Sequence, residues 1–376
     1  MTTLLWLTLA STLVPVGRGP GFIAIADVNG DRRPDILVAN ADDETVSVLL
    51  NGGGRQFQPA AGSPFDAGHL PNDLAVADMN GDGHPDLVIA NHQSPYITIL
   101  LGDGTGAFRP AHNSPFATGS YPHPHGVAVA DFTGDGALDV VVDSWGNDRV
   151  ALIDGDGHGE LVGTRQMFAV GRRPYQRLRS ADFNRDGHPD IVTTNLDDNS
   201  VTILLGDGQG GLRQATGSPT PAGAAPWQVA VDDVNGDGDA DLVVIPYDSD
   251  VHDPAKVVVT LLAGDGSGDL SPMPGSPLAL DGCRGPNGVA TGDVNGDSRR
   301  DIVVACAVSA TLVTFLMRAE GGYQRWTVSI GAGPTWGGVA VADLDGDGRD
   351  DIVVSNSREG GIRILFSGDA VAGSPK

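Results

Sequence analysis

Leu74-Ala-Val-Ala-Asp78-Met-Asn80-Gly-Asp82-Gly-His-Pro-Asp86-Leu-Val-Ile-Ala-Asn91 is a phrase this chain writes seven times with small changes. Its centre is the nonapeptide Asp-x-Asn/Asp-x-Asp-x-x-x-Asp, starting at Asp27, Asp78, Asp131, Asp182, Asp233, Asp293 and Asp343, with Thr133 at the third position of the third copy. The starts are separated by 51, 53, 51, 51, 60 and 50 residues, the mark of one supersecondary unit laid down again and again.

Each unit reads as four short strands. Around Asp78 they are Leu74–Ala77, Leu87–Asn91, Tyr96–Leu101 and Phe108–His112, apolar and β-branched runs bounded by Gly, Asn and Asp. With 54 Gly and 25 Pro in 376 residues, breakers fall too often for long helices. Units of about 50 residues with four antiparallel strands are propeller blades, and seven units lie inside the range of that architecture. The expected fold is therefore all-β, a single seven-bladed β-propeller over residues 1–376. Its blades lie near 20–61, 71–112, 122–170, 174–216, 226–273, 286–330 and 334–367 plus 3–10.

The split last blade follows from phase. The final unit has three strands, Val339–Ala342, Ile352–Asn356 and Ile362–Phe366, and then only ten residues. Trp6 lies 21 residues before Asp27, as Phe57 does before Asp78, and Gly17 and Gly68 each lie ten residues before those aspartates. The N-terminal segment is thus in phase with a fourth strand and would close blade 7, removing exposed sheet edges. The apolar run Leu4–Val16 also reads as the remnant of a signal peptide, although it lacks a basic leading segment and a clear small-residue cleavage site.

The charge points the same way as the repeats. The chain carries 48 acids against 23 bases, a net charge of −25 that would be repelled by phosphate, so no nucleic-acid partner is expected. No run is long and apolar enough for a membrane span. Only four acids are Glu (Glu44, Glu160, Glu320, Glu359) and the rest are Asp. A short carboxylate dominates where it must bend back into a tight loop, as turns and calcium loops require.

Positions 1, 3, 5 and 9 of the nonapeptides carry oxygen side chains, and position 7 offers its carbonyl, which is the donor set for a hard cation such as Ca²⁺. The expected ligands are Asp27, Asn29, Asp31 and Asp35; Asp78, Asn80, Asp82 and Asp86; Asp131, Asp135 and Asp139; and Asp182, Asn184, Asp186 and Asp190. The remaining loops supply Asp233, Asn235, Asp237 and Asp241; Asp293, Asn295, Asp297 and Asp301; and Asp343, Asp345, Asp347 and Asp351. The seventh loop is the most complete, and the second and fifth follow closely. Arg32 and Ser298 where Gly would ease the turn, Thr133 at position 3 and Arg185 at position 4 should weaken the first, sixth, third and fourth. At ~1 mM calcium and a Kd of ~0.1 mM each ion adds ~1.4 kcal/mol, so up to seven structural ions would add on the order of 10 kcal/mol. Unmetallated Asp-rich turns are the alternative, in which the converging carboxylates repel one another.

On these loops and their flanking strands the chain resembles the FG-GAP/VCBS-type repeat proteins, the calcium-loop propellers also found in integrin α-chains and secreted bacterial proteins. The resemblance spans nearly the whole length. It implies the propeller and its calcium, while leaving the activity open, because such propellers are platforms that include lectins and some polysaccharide lyases. The Phe-Gly…Gly-Ala-Pro text that names the family is not preserved here.

Strand order sorts the remaining chemistry between two faces. Asp loops and the turns between strands three and four share one face; the loops between strands two and three and the blade-to-blade connections share the other. That second face collects Tyr121, Tyr175, Trp227 and Trp336 in connections and Trp145 and Tyr247 in loops, joined by His69, His123, His125 and His252. Flat aromatics among polar neighbours suit sugar rings or a protein partner, whereas each ring covering the end of its own blade is the plainer reading. Arg172, Arg173, Arg177 and Arg179 cluster in blade 4, with Arg179 placed near the channel; they suit an anionic ligand or neutralise Asp197 and Asp198. The expected function is a calcium-stabilised, non-enzymatic scaffold that binds a glycan or protein through Tyr121, His123, His125, Trp145, Arg173, Tyr175, Trp227, Tyr247 and Trp336. The alternative is a uronate lyase using a His or Tyr base and an Arg on the same face. No Gly-x-Ser-x-Gly, His-Glu-x-x-His or phosphate-loop motif is present. Ser63, Ser218 and Ser276, in repeated Gly-Ser-Pro, read as structural. Asp248–Ala255 reads as a specificity loop or a neutral insertion. Cys283 and Cys306 fall on one face of blade 6, where a disulfide or two buried thiols are both open. A bridge and millimolar calcium loops would favour an extracellular, periplasmic or cell-surface protein, and a monomer is expected.

Overall fold

The computed structural model describes residues 11–247, 255, 257–331 and 338–367. Within them the chain forms seven antiparallel four-stranded sheets. Blade 1 shows the plan. β2 (Pro20–Ala26) lines the centre, β3 (Asp35–Asn40) and β4 (Thr45–Asn51) follow outward, and β5 (Phe57–Pro59) is outermost. The innermost strands touch in sequence around the ring, and the last, Val339–Ala342, returns to β2.

The second strands show why the blades stack. All seven, from β3 through Asp86–Asn91 to Asp351–Asn356, are six residues long and buried throughout. A sheet covered on both faces needs consecutive apolar residues, and the Asp-Leu-Val-Val-Ala-Asn text supplies them. One apolar core fills each junction between neighbouring blades. That between blades 7 and 1 joins Val353, Ile362 and Ile364 to Ile23, Ile36 and Leu49.

Closure comes from the N-terminal side. β1 (Ser11–Pro15) pairs antiparallel with Gly361–Leu365, from Ser11 opposite Leu365 to Pro15 opposite Gly361. Residues 3–10, assigned to this strand from phase, lie outside the described residues.

The fourth strand is less regular than its sequence suggests. In blade 2 it runs Phe108–Pro110, breaks, and resumes at Phe116–Ala117, so His112 is not part of it; blades 1, 4 and 5 break likewise. At each break the serine of Ser-Pro turns inward. Ser63, Ser114, Ser218 and Ser276 Oγ accept the backbone N–H of Val48, Ile99, Ile203 and Leu261 in strand three, at 2.8–2.9 Å. The repeated Ser is thus a fastener for the outer edge. Cys283 and Cys306 form a disulfide that ties the entry of blade 6 to the end of its second strand.

Candidate functional site

On one face each Asp loop folds around its first aspartate. In the seventh, Asp343 Oδ1 accepts the N–H of Gly346 (2.7 Å) and Asp347 (3.1 Å), and Oδ2 that of Gly348 (2.9 Å). Asp347 Oδ1 accepts the Arg349 N–H at 2.9 Å. These amides offset part of the repulsion among the carboxylates. The ninth aspartate does more than the spacing alone reveals. Asp86 is fully buried and accepts the Met79 N–H (2.9 Å) and the Gly102 N–H (2.8 Å), bolting the loop to the end of strand three. Asp301 does the same with Val294 (3.2 Å) and Met317 (2.9 Å). Burial pushes these ninth carboxyls up, Asp301 to about 7 and Asp190, Asp241 and Asp351 to about 6, while the amide donors pull partly back.

The loop donors fit calcium. Asp343, Asp345 and Asp351 each bring a carboxylate oxygen within 4.8 Å of the others. Two oxygens bound to one Ca²⁺ lie at most about 5 Å apart, so this spacing matches one ion between them. In the sixth loop Asn295 Oδ1, a position-3 donor, is buried with no hydrogen-bond partner among the described residues. Guanidinium groups compete at three loops. Arg33 pairs with Asp31, Arg299 with Asp297, and Arg55 from the blade 1 turn holds Asp345 at 2.8 Å.

The opposite face carries a continuous row of rings from blade 2 to blade 5. His92, His123 and His125 stand with ring centroids 4.7–4.8 Å apart. Tyr175 lies 4.0 Å from His125 and 5.5 Å from Trp145. Trp227 follows at 5.2 Å and stacks on Tyr247 at 4.2 Å. Arg173 sits over Tyr175 at 5.0 Å and pairs with Asp197 at 3.4 Å, while Arg172 pairs with Asp198 at 2.6 Å. Neutralisation of Asp197 and Asp198 thus accounts for both of these arginines.

Exposure divides this row. Tyr121 is 64% exposed, whereas Trp227 and His125 are each 1% exposed. Tyr175 and Trp227 belong to the first strands of blades 4 and 5, Pro174–Ala181 and Pro226–Asp232, not to connections, and Trp227 packs into the junction of blades 5 and 6. A buried His125 does not reach a polymer chain and so cannot serve there as a general base, whereas His123 and Tyr175 are half-buried. Trp336, His252 and residues 248–254 lie outside the described residues. His69 turns aside to Glu44 at 2.6 Å.

His92 was not singled out from sequence, although its place just after strand two was the available signal. Its pKa falls to about 4, first because of burial and then because of His125, His123 and His69. His123 is lowered by burial and by His125, with Asp143 opposing. Asp143 braces the cluster from behind. It accepts the backbone N–H of His125 (2.6 Å) and of Gly126 (2.7 Å), and its Oδ2 meets His125 Nδ1 at 3.3 Å.

In the channel a third constellation appears. Arg177 and Arg179 from blade 4 both pair with Asp73 of blade 2, Arg179 at 3.3 Å. Arg177 also donates to Gln228 and lies over Phe22 at 4.1 Å. They border a cavity of about 290 Å³ that includes Phe22, Ser180 and Gln228.

Known proteins place the fold. The FG-GAP-like repeat pattern matches residues 27–89, 78–142, 182–244 and 293–354, and the FG-GAP repeat pattern matches 335–374. Cartilage acidic protein 1 of Xenopus tropicalis is 26% identical over 172 residues, 45% of this chain and 26% of that protein. The chain spans about a quarter of the length of the curated relatives it matches. A functionally unknown protein from Desulfotomaculum acetoxidans superposes with a TM-score of 0.61 at 16% identity, covering 86% of this chain and 89% of that one. An Agrocybe aegerita lectin that recognises non-reducing terminal N-acetylglucosamine gives 0.55 at 17% identity, covering 87% and 82%.

Proposed function

Since the chain belongs to the FG-GAP repeat family, whose patterns cover more than half of its length, we propose that it is a calcium-stabilised scaffold presenting a carbohydrate-binding face opposite its Asp loops. The observation that carries this reading is the patch at blades 3 and 4. Tyr121 stands exposed beside the loop of Trp145, fixed by its N–H to Ser144 Oγ (2.7 Å) and by the Gly146 N–H to its carbonyl (2.8 Å). Trp145 and Tyr175 meet edge to face under Arg173. Rigid aromatic planes bordered by hydrogen-bonding groups suit the apolar faces of sugar rings. The Agrocybe lectin shows that a propeller of this general shape can serve a sugar. Calcium in the loops would act as a staple, with Asp343, Asp345, Asp347 and Asp351 the best-formed set; the ion supplies charge neutralisation and no chemical step. The disulfide and the cartilage acidic protein likeness support placement outside the cytoplasm.

The test is electrophoresis of calcium-loaded protein through gels containing neutral, uronate or sulfated polysaccharide. One polymer class should retard the protein, and Trp145→Ala with Tyr121→Ala should abolish the shift without lowering the melting temperature. Mobility unchanged in every gel would move the reading to a protein partner at the same face.

A further inference from the structure

We propose that His92, His123 and His125 form a binding site for a divalent transition cation of the zinc class, on the face opposite the Asp loops. The site is independent of the carbohydrate reading and of calcium. Three imidazoles bring one nitrogen each within 4.8 Å of one another. A tetrahedral ion with bonds of 2.0–2.1 Å holds its nitrogens about 3.4 Å apart, so modest ring rotations complete the set. Nitrogen donors select this class, since Ca²⁺ and Mg²⁺ take oxygen.

Two further observations point to a ligand. Nε2 of His123 and Nε2 of His125 are buried with no hydrogen-bond partner among the described residues, and His125 is 1% exposed. A buried nitrogen without a partner has lost its water and gained nothing in return, so two side by side call for an occupant. Asp143 supplies the other half. With Nδ1 of His125 turned toward Asp143 Oδ2 at 3.3 Å, the proton sits on Nδ1 and the lone pair is left on Nε2. A carboxylate behind a ligating histidine fixes the ring and raises its basicity.

The architecture makes the site rigid. His92 enters from the loop after strand two of blade 2, and His123 and His125 from the connection into blade 3. Asn72 Nδ2 donates to the His125 carbonyl at 3.0 Å, and Tyr175 packs on the His125 ring. Three ligands leave one coordination position for solvent or for a ligand arriving at the Trp145 side.

Cobalt(II) is the probe, titrated into the full chain in a large excess of calcium so that the Asp loops stay filled. One equivalent should bind with the intense visible absorption of a nitrogen-coordinated, low-symmetry ion. His92→Gln and His123→Gln should each abolish it; Asp345→Asn should leave it intact. Asp143→Asn should weaken binding by roughly 10–100-fold. Titrations identical in the wild type and both histidine variants would overturn the site. Should those variants fold poorly, X-ray absorption of the cobalt-loaded wild type decides: three imidazole scatterers support it, and an all-oxygen shell overturns it.

Discussion

Arg177 is 3% exposed, and a guanidinium so placed must be held by something of opposite sign. Asp73, 104 residues earlier, is that partner, and it also accepts the backbone N–H of Leu74 (3.1 Å) and Val127 (3.3 Å). Burial lowers the Arg177 pKa to about 10, and Asp73 opposes the fall. Arg177→Met should therefore cost up to about 3 kcal/mol in urea unfolding, because it leaves the buried Asp73 with Arg179, at 3.3 Å, as its remaining cation. The double change with Asp73→Asn should recover much of that loss; losses of the two single variants that simply add in the double variant would show the pair to be uncoupled. The sequence flagged the arginines of blade 4 and set Arg179 near the channel. It could not show that Arg177 reaches across to blade 2, because no local period encodes a partner so far along the chain. Burial of Trp227 and His125 was hidden for the same reason: strand order assigns a residue to a face, while the neighbouring blade decides whether water reaches it.

The Asp loop is the element that repeats most faithfully, and its backbone geometry was legible because Gly marks it. The sixth loop position is left-handed throughout, Gly83 and Gly348 at φ 84° and Ser298 at φ 65°. Ser298→Gly relieves a side chain from that region and keeps the N–H that bonds Asp293, so it should stabilise by about 0.5–1 kcal/mol in thermal melts. The ninth aspartate was legible as an oxygen donor but not as the bolt to strand three, since that bond depends on where strand three ends. Its chemistry gives a signed prediction. Asp301 titrates near 7 in the folded protein and Asp190, Asp241 and Asp351 near 6, all above the unfolded carboxylate value. Between about pH 4 and 7 the folded state then binds more protons than the unfolded, so their contribution to stability is lost as pH rises through that window. In EDTA the melting temperature should fall from pH 4 to 7. Millimolar calcium, which binds the ionised form, should flatten or reverse the slope; a rise with pH in EDTA would contradict the assignment.

For the whole molecule the decisive feature is closure of the ring by the two ends of the described chain. Phase in the repeat exposed this, because Gly17 and Gly68 hold equivalent places before their Asp loops. What phase left open was how much of the N-terminal segment pairs, since a strand edge takes its register from the partner. The pairing of β1 with Gly361–Leu365 buries Val14 and Val16 partly in the core shared by blades 7 and 1, and Arg363 Nη1 donates to Ser11 Oγ at 2.8 Å. Removing residues 1–16 would uncover the Gly361–Leu365 edge and thin that core at once. The loss should be on the order of 3 kcal/mol, from two half-buried valines and a strand of ladder hydrogen bonds. An unpaired edge also recruits other chains, so the truncated protein should associate with rising concentration where the full chain does not. Because the missing strand is short and its groove preformed, a peptide of residues 1–16 added in trans should restore the melting temperature and suppress association. Sedimentation and melting of the truncated chain, with and without the peptide, measure both effects. A truncated chain that melts like the parent and stays monomeric would show that closure rests on the apolar junction alone, with the N-terminal strand an ornament to it.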